Sequence, residues 1–451
     1  MKITFCGAAQ EVTGSSYLLE TDTKKYLIDC GLFQGSRMAT ESNYDDFLFD
    51  PKEVSAVFIT HAHLDHTGRL PKLAREGFAG TVYATQPTAA LAKLIVSDSL
   101  HILEEEARRH DKEPIYSAED VSAIIARFRG VEYREVIQVD EHTTVEFFDA
   151  GHILGSSCIR ITHNGVSIVF SGDLGNTPVP LLYPTDIIGE ANYVVVESTY
   201  GGRVHESPAE RTRLLKEMMY TVAAEGGVLM IPAFAMERTQ EILYECNTFV
   251  NNNDIPRLQI FLDSPLAIAA TEVFQQYSRY LNPETQEMIR KDADIFSFPG
   301  LKMTRTTQES MAISSVPAPK VIIAGSGMAQ GGRIVRHIEQ YISDPKNRYL
   351  IVGYQVQGSL GRRLLDGETS IRMHGEEIPV RAKVKAIGGY SAHADQPHIA
   401  RWLATFDPLK LRNIFITHGE EDQAKSLSEY IQTQHKLSSR IPSLGDTIEL
   451  V

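Results

Sequence analysis

The sequence predicts an α/β protein in which a β-rich unit is interrupted by an inserted unit with a mainly parallel sheet. Short strands predominate up to about residue 203, helices and strands alternate from about 204 to 370, and strand-rich sequence then returns. Regular alternation of this kind is typical of a parallel sheet flanked by helices. We therefore expect residues 1–203 and 371–451 to form two parts of one domain, with residues 204–370 inserted between them.

The elements of the first unit follow from short-range patterns. Helices are expected from about 68 to 76 and across 87–128, the second with charges on an exposed face. Asn164-Gly165 lies between two apolar alternations and predicts a hairpin. The strands expected from β-forming residues lie at 2–6, 15–20, 25–29, 56–60, 144–173 and 191–199.

The inserted unit is predicted from its alternating pattern. Its helices are expected at 208–225, 236–250, up to about 291, and 332–343, and its strands at 228–232, 258–263, 320–325 and 348–354. After residue 370, strands are expected within 371–387 and at 413–417, followed by a final helix and strand.

The composition of the chain narrows the class of protein. Its 451 residues include 44 lysines and arginines against 58 aspartates and glutamates, a net charge of −14. A protein that binds nucleic acid over its whole surface is expected to be basic, so any such binding must be local here. The sequence lacks the ~18 uninterrupted apolar residues of a membrane helix. Its four cysteines have no C-x-x-C spacing, so we expect buried thiols in a cytoplasmic protein with no membrane partner.

A dense group of metal-ligating side chains follows the strand at 56–60. The segment FITHAHLDHTG places His61, His63, Asp65 and His66 within six positions. Two imidazoles that are two residues apart in an extended turn can converge on one ion, and imidazole and carboxylate both bind zinc. Chance histidines in a loop are a poor explanation because the whole chain has only 15.

Four further residues lie where predicted strands end: Asp29, His152, Asp173 and His418. Taken singly, each is explained equally well as a turn acid, a capping side chain or a surface histidine. Strand ends in a layered fold collect at one rim, which is where sites form. Because these four residues are expected to lie next to the cluster at 61–66, a shared function is favoured for them.

These motifs resemble the metallo-β-lactamase fold: H-x-H-x-D-H after a strand, then a distant histidine, then an aspartate in SGD. The second half of the chain is similar to the β-CASP nucleases, which carry three further motifs represented here by Glu197 in VVVEST, His393 in GGYSAHAD and His418 in THGE. The segments PAFAMERTQE, DSPLA, GSGMAQGGR and GYQVQGSLGR resemble further blocks of that family. The resemblance implies a metallo-β-lactamase αββα sandwich split by an inserted β-CASP domain.

The resemblance also implies two zinc ions per chain. By analogy, His61, His63 and His152 hold the first ion, Asp65, His66 and His418 hold the second, and Asp173 bridges them. Asp29 corresponds to an acid that orients the ligands. Asp65, Glu197 and His393 are then the catalytic residues. In this scheme His393 is the general acid for the leaving 3′-oxygen and Glu197 holds and polarises it.

Phosphate contacts are expected in the second half of the chain. GSGMAQGGR follows a strand and precedes a helix, so its backbone N–H groups are suited to an anion. It matches neither a dinucleotide fingerprint nor a Walker loop. By resemblance the RNA phosphate residues are Ser326, Gly327 and Met328, with Arg333, Arg238, Ser264 and Ser391.

Two features leave these assignments open. The family usually has Gly where this chain has Glu237, an acid next to Arg238. A group of basic residues forms either a local channel for RNA or an ordinary solvated face: Arg362, Arg363, Arg381, Lys383 and Lys385.

The resemblance implies a ribonuclease acting on single-stranded RNA, as an endonuclease, a 5′-to-3′ exonuclease or both. His418 favours RNA because members acting on DNA usually have Val there. The alternatives are a nuclease of DNA, a hydrolase of small esters, thioesters or lactams, and a non-catalytic RNA-binding scaffold. Members are often dimers, so a homodimer is compatible with the resemblance.

Overall fold

The computed structural model describes residues 1–35, 40–109, 111–176, 178–291 and 294–451. Its strands are β1 (Lys2–Phe5), β2 (Tyr17–Glu20), β3 (Lys25–Ile28), β4 (Val54–Phe58), β5 (Thr81–Thr85), β6 (Phe128–Val131), β7 (Ile137–Asp140), β8 (Thr143–Asp149), β9 (Ser157–His163), β10 (Val166–Phe170), β11 (Tyr193–Glu197), β12 (Val228–Pro232), β13 (Gln259–Asp263), β14 (Leu301–Met303), β15 (Lys320–Ala324), β16 (Arg348–Ile351), β17 (Ser370–Met373), β18 (Glu376–Pro379), β19 (Lys383–Ala386), β20 (Asn413–Thr417), β21 (Ser439–Arg440) and β22 (Thr447–Glu449). The described α-helices are α1 (Leu64–Thr67), α2 (Leu70–Arg75), α3 (Gln86–Arg109), α4 (Ala118–Ile125), α5 (Pro208–Glu225), α6 (Arg238–Asn251), α7 (Pro265–Gln276), α8 (Pro283–Lys291), α9 (Thr307–Ala312), α10 (Gly332–Tyr341), α11 (Leu360–Leu365), α12 (Gln396–Leu403) and α13 (Glu421–His435).

The chain divides into two compact units. The first comprises residues 1–177, 182–204 and 393–451, and the second comprises residues 178–181 and 205–392. The first unit has two seven-stranded sheets, in the orders β22-β1-β2-β3-β4-β5-β6 and β21-β20-β11-β10-β9-β8-β7. Neighbouring strands are parallel at β3–β4 and across β10–β11–β20.

The first unit has four layers because each of its sheets is apolar on both faces. Between the sheets, buried residues such as Phe5 and Phe58 pack with Phe147 and Phe170. The other face of the first sheet packs on α2, α3 and α4 through residues that include Leu73. The other face of the second sheet packs on α12 and α13. This is the αββα sandwich that the motifs predicted.

The second unit contains a six-stranded sheet in the order β14-β13-β15-β12-β16-β19, together with the hairpin β17–β18. All pairings in the six-stranded sheet are parallel. Its central strands β12 and β15 are buried along their whole length, as expected for a parallel sheet covered by helices.

The structure shifts the second expected boundary. Residues 371–392 group with the second unit, whereas we expected them to belong to the returning part of the first. The reason is that β19 pairs in parallel with β16 and thereby extends the inserted sheet. The strand-rich sequence of this segment comes from a hairpin and an edge strand of the second unit.

One expected helix is divided. The helix expected at 68–76 is α2, which follows the short helix α1 of the ligand motif, whereas the helical stretch expected across 87–128 is α3 and α4. Pro114 lies between α3 and α4, and α4 starts at a capping box in which Ser117 and Asp120 satisfy each other's backbone N–H groups. The four cysteines are buried and free, as expected. Among the described residues, helices of the length and apolar character that a membrane span requires are lacking.

Candidate metal centre

The strand ends of the first unit bring the predicted residues together. Asp29 follows β3, His61 and His63 follow β4, His152 follows β8, Asp173 follows β10, and His418 follows β20. Parallel neighbours in a sheet end at the same edge, which explains why residues far apart in sequence meet here. Asp29 and His418 both turn the chain with positive φ, +57° and +47° respectively.

The first group of donors contains His61, His63, His152 and Asp173. The distance from His61 Nε2 to His63 Nδ1 is 3.0 Å, and that from His152 Nε2 to His63 Nδ1 is 3.3 Å. Asp173 Oδ2 lies 3.4 Å from His61 Nε2 and 3.5 Å from His152 Nε2. Four donor atoms thus face a common point.

The second group contains Asp65, His66 and His418. His66 Nε2 and His418 Nε2 are 3.2 Å apart, and Asp65 Oδ2 is 3.5 Å from His418 Nε2. The other oxygen of Asp173, Oδ1, lies 3.4 Å from His66 Nε2. Each oxygen of Asp173 therefore faces a different group of donors.

The protonation of the first group suits metal ligation. Burial lowers the pKa of His61 to about 3 and that of His63 to about 4, and it lowers the pKa of His152 well below its usual value. These imidazoles are consequently neutral at pH 7 and have a lone pair to offer. A metal ligand must be deprotonated at its donor atom, so the environment favours ligation.

Asp29 holds two of the histidines. Its Oδ2 accepts a hydrogen bond of 2.7 Å from His66 Nδ1 and one of 2.8 Å from the Thr60 hydroxyl. Because the Thr60 hydroxyl donates to Asp29, its oxygen is free to accept from His61 Nδ1 at 3.1 Å. Both imidazoles then carry their proton on Nδ1 and present Nε2 to the donor groups. This is the orienting arrangement predicted for Asp29.

Thr199 orients His418 in a similar way. The Thr199 hydroxyl donates to the backbone oxygen of His418 at 3.2 Å and lies 3.2 Å from His418 Nδ1. A hydroxyl that donates to the carbonyl accepts from Nδ1–H, which leaves His418 Nε2 as the donor atom.

Glu197 and His393 form a buried dyad beside Asp173. His393 Nδ1 donates to Glu197 Oε2 at 3.0 Å, and Glu197 Oε1 accepts from the Leu174 N–H at 2.6 Å. Burial alone would lower the pKa of His393, but the charges of Glu197 and Asp173 outweigh it and raise the pKa to about 9. The imidazole is thus protonated at neutral pH, as a general acid must be.

The donor groups fit zinc. Both oxygens of Asp173 and Nδ1 of His152 are buried and have no hydrogen-bond partner among the described residues. A buried carboxylate in this position is costly unless a cation balances it. Tetrahedral zinc with ligands at about 2.0–2.1 Å sets neighbouring donor atoms about 3.3–3.4 Å apart. The distances of 3.0–3.5 Å within the first group match that spacing.

Two of the predicted phosphate residues have other partners. Arg238 is only 3% exposed, and its guanidinium pairs with Glu241 on the same helix. Arg333 donates to Asp263 Oδ1 at 2.7 Å and to the backbone oxygen of Thr304 at 2.8 Å. Both guanidiniums thus have acidic partners within the second unit.

The other predicted phosphate residues stay predictions. Ser264 caps α7, since its hydroxyl accepts from the Ala267 N–H, and Ser391 is buried. In the Gly-rich loop before α10, the described hydrogen bonds leave the N–H groups of Ser326, Gly327 and Met328 available. A Cβ on Gly327 would lie 2.6 Å from the Phe234 ring, which explains the glycine there.

Sequence reasoning missed Thr60 and Thr199, which hold histidines without being donors to the ion. Thr60 directly precedes His61, and Thr199 follows Glu197 by two residues. A hydroxyl at a strand end next to a ligand motif is the signal that was available, but hydroxyls are common at strand ends for other reasons.

The sequence matches three family profiles. Residues 9–202 match the metallo-beta-lactamase superfamily, residues 239–364 match the Beta-Casp domain, and residues 377–442 match the Zn-dependent metallo-hydrolase RNA specificity domain. One relative, ribonuclease TTHA0252 of Thermus thermophilus, is 39% identical over 96% of each chain.

Two more distant relatives come from archaea. An RNase J-like protein of Methanocaldococcus jannaschii is 30% identical over 99% of each chain. The transcription termination factor FttA of Thermococcus kodakarensis is 32% identical over 100% of this chain and 71% of its own. A solved structure from Enterococcus faecalis, of unknown function, shares the fold with a TM-score of 0.53 and 12% identity over 99% of each chain.

Proposed function

This chain belongs to the β-CASP family of the metallo-β-lactamase superfamily of metal-dependent hydrolases, and we propose that it is a zinc-dependent ribonuclease that hydrolyses phosphodiester bonds of single-stranded RNA. The observation that carries the proposal is Asp173, whose two oxygens face two separate groups of histidine and aspartate donors beside a Glu–His dyad. Two of the relatives are named as ribonucleases or RNase J-like proteins.

Two metal ions are the cofactor in this proposal. His61, His63 and His152 would hold one, Asp65, His66 and His418 the other, and Asp173 would bridge them. When bound, such a pair acidifies water and stabilises both the attacking and the leaving oxygen of an in-line displacement. Asp65 is also one of the catalytic residues in this proposal, because it belongs to the second group of donors and its side chain is 19% exposed.

The residues of the chain orient the histidine ligands and donate a proton to the leaving group. Asp29 and Thr60 hold His61 and His66 in one orientation, which removes the need to reorganise them during the reaction. His393 donates a proton to the leaving 3′-oxygen, and Glu197 keeps the imidazole protonated and directed. The product is a 5′-phosphate and a free 3′-hydroxyl.

The cleavage mode stays open between endonuclease and 5′-to-3′ exonuclease. We further propose a cytoplasmic location, supported by four buried free thiols of the kind that persist in a reducing compartment. The N–H groups of Ser326, Gly327 and Met328 would contact an RNA phosphate.

The test is cleavage of a 3′-labelled single-stranded RNA carrying a 5′-monophosphate by the zinc-loaded protein. Parallel reactions contain matched DNA, RNA with chelator, and the Asp65→Ala/His66→Ala variant. Metal-dependent RNA cleavage that the variant loses would support the proposal, and the product ladder would identify the mode. Protein that holds two zinc ions and leaves RNA intact would contradict it.

A further inference from the structure

The last strand of the second unit's sheet has three basic side chains at alternate positions. Arg381, Lys383 and Lys385 extend from the approach to β19 along the strand itself. Arg381 and Lys383 are exposed and Lys385 is half-buried, whereas Ala382 and Val384 belong to the apolar core beneath. Alternate residues of a strand point to the same face, so Lys383 and Lys385 lie about 6.6–6.8 Å apart on β19, and the exposed Arg381 just before the strand extends them into a row.

The row has no ion-pair partner to neutralise it. In the part of the chain that the structure describes, Arg381, Lys383 and Lys385 have no carboxylate within ion-pair distance. Two other members of the expected basic group behave differently, since Arg362 pairs with Asp366 and Arg363 with Glu368. The expected basic channel is therefore reduced to the three residues of the row.

Lys385 is partly compensated. It approaches Glu210, a carboxyl whose pKa is lowered first by the hydrogen bond and charge of Arg213 and then by the charge of Lys385. Arg381 and Lys383 are consequently the strongest anion-binding members of the row.

We propose that the row Arg381–Lys383–Lys385 binds the sugar-phosphate backbone of single-stranded RNA outside the cleaved bond, an inference that rests on the proposed ribonuclease activity. The chain has a net charge of −14, so RNA is repelled by most of its surface and must be attracted locally. Phosphates recur along a single strand, and an extended row of cations with no ion-pair partner complements that regular arrangement.

One structural explanation competes with this one. Lysines on an edge strand discourage pairing with the edge of another molecule, and β19 is the edge of its sheet. The two explanations make different predictions, because an edge-protecting lysine affects aggregation while a phosphate-binding lysine affects the salt dependence of RNA cleavage.

The experiment compares Arg381→Gln/Lys383→Gln with a control of equal charge change, Arg290→Gln/Lys291→Gln. The control residues are exposed and already paired with Glu287 in the same unit. We would measure kcat/KM for a single-stranded RNA of about 24 nucleotides across a range of KCl concentrations. Hydrolysis of bis(p-nitrophenyl) phosphate, which lacks an extended backbone, reports the metal centre alone.

We expect the row variant to lose about tenfold in kcat/KM for RNA at low salt and none for the small substrate. The slope of log kcat/KM against log salt is negative and should become less steep by about 1.4, which is 0.7 for each lost phosphate contact on a single strand. The control should retain the wild-type slope.

Each other outcome counts against the inference. An unchanged salt slope with normal RNA cleavage would overturn it and leave the proposed activity intact. Aggregation of the row variant with an unchanged slope would identify edge protection as the role of these residues. A wild-type protein that hydrolyses only the small substrate would overturn the ribonuclease proposal, and this inference with it.

Discussion

Buried charge is balanced in opposite ways in the two units. In the second unit, Arg211 and Arg238 are buried with Glu241 and Glu245, and the acids and bases pair with one another. Tyr390 adds a hydrogen bond to Glu245. In the first unit, Asp173 is equally buried, yet its oxygens have no hydrogen-bond donor among the described residues, and burial keeps two of the imidazoles beside Oδ2, those of His61 and His152, neutral.

This difference distinguishes buried charges that stabilise the fold from buried charges that form a binding site. Charges that compensate one another inside the protein need nothing from outside, and breaking such a pair is costly. A buried carboxylate that accepts no hydrogen bond and lies among metal-ligating side chains is instead suited to a cation. Burial alone therefore does not identify a functional residue, and the state of its neighbours does.

The largest expected effect comes from Asp173→Asn. Losing the carboxylate that faces both donor groups should reduce RNA cleavage about a thousandfold or more, since bound metal contributes several kcal/mol of transition-state stabilisation. Zinc content should fall below two ions per chain, as measured on dialysed protein. The thermal stabilisation that zinc gives the wild-type protein should shrink in parallel. Full zinc content in this variant would contradict the bridging role.

Glu241→Gln tests the other side of the comparison. The carboxylate is fully buried and pairs with Arg238, with Arg211 3.8 Å away, so its loss leaves buried guanidinium charge uncompensated. We expect the free energy of unfolding to fall by about 3–5 kcal/mol in urea titrations. Zinc content should not change. A variant that is fully stable would show that the cluster is not held by its charges.

Glu197→Gln should separate proton donation from metal binding. Without the carboxylate, His393 is less readily protonated and less well directed, so kcat for RNA should fall about a hundredfold. A p-nitrophenolate leaving group needs no proton, and bis(p-nitrophenyl) phosphate should be hydrolysed within a few-fold of the wild-type rate. Equal losses on both substrates would instead place Glu197 in metal binding, as part of the Asp173–Glu197–His393 group.

A smaller effect is expected from Thr60→Val, which keeps the shape of the side chain and removes the hydroxyl between Asp29 and His61. Zinc affinity, measured by competition with a chromogenic chelator, should fall about tenfold. The matched control is Thr271→Val, another buried threonine whose hydroxyl bonds to Ala267 and Gln240 in the second unit. The control should lose stability without losing zinc affinity.

Asp149 gives a third way to balance buried charge. Burial raises the pKa of Asp149 to about 8, against the opposing N–H of Gly151, so the native state holds a proton that the unfolded chain releases at lower pH. Stability from this group is therefore present at low pH and is lost as pH rises through about 8. The thermal stability of Asp149→Asn relative to wild type should improve from about pH 4 to 8 and then level off. A difference that does not vary with pH would contradict the raised pKa.

The sequence predicted the architecture and the donor groups well because both have local signatures. Strands of the first unit are short apolar runs with turn residues between them, and the ligand motif places His61, His63, Asp65 and His66 in one turn. The distant members, such as Asp173 and His418, could be placed because strand ends collect at one edge.

The misplaced features depend on partners that only the fold selects. Arg238 and Arg333 follow promising loops, yet the fold gives them acidic partners, Glu241 and Asp263, that the sequence did not predict. The second unit extends past residue 370 because β19 continues its parallel sheet, and an edge strand of a parallel sheet has the same sequence pattern as a strand of a sandwich. The orienting roles of Thr60 and Thr199 were not predicted because a hydroxyl that holds a histidine has no sequence motif of its own.

The hydrogen bond between Glu197 and His393 joins residues 196 positions apart, and nearly all of the second unit is encoded between them. During synthesis Glu197 is therefore made long before His393, and His418 is made later still. A fragment released by premature termination within the insert contains the first donor group but neither the dyad nor the last histidine. The complete arrangement of donors and dyad is thus among the last features that the growing chain acquires.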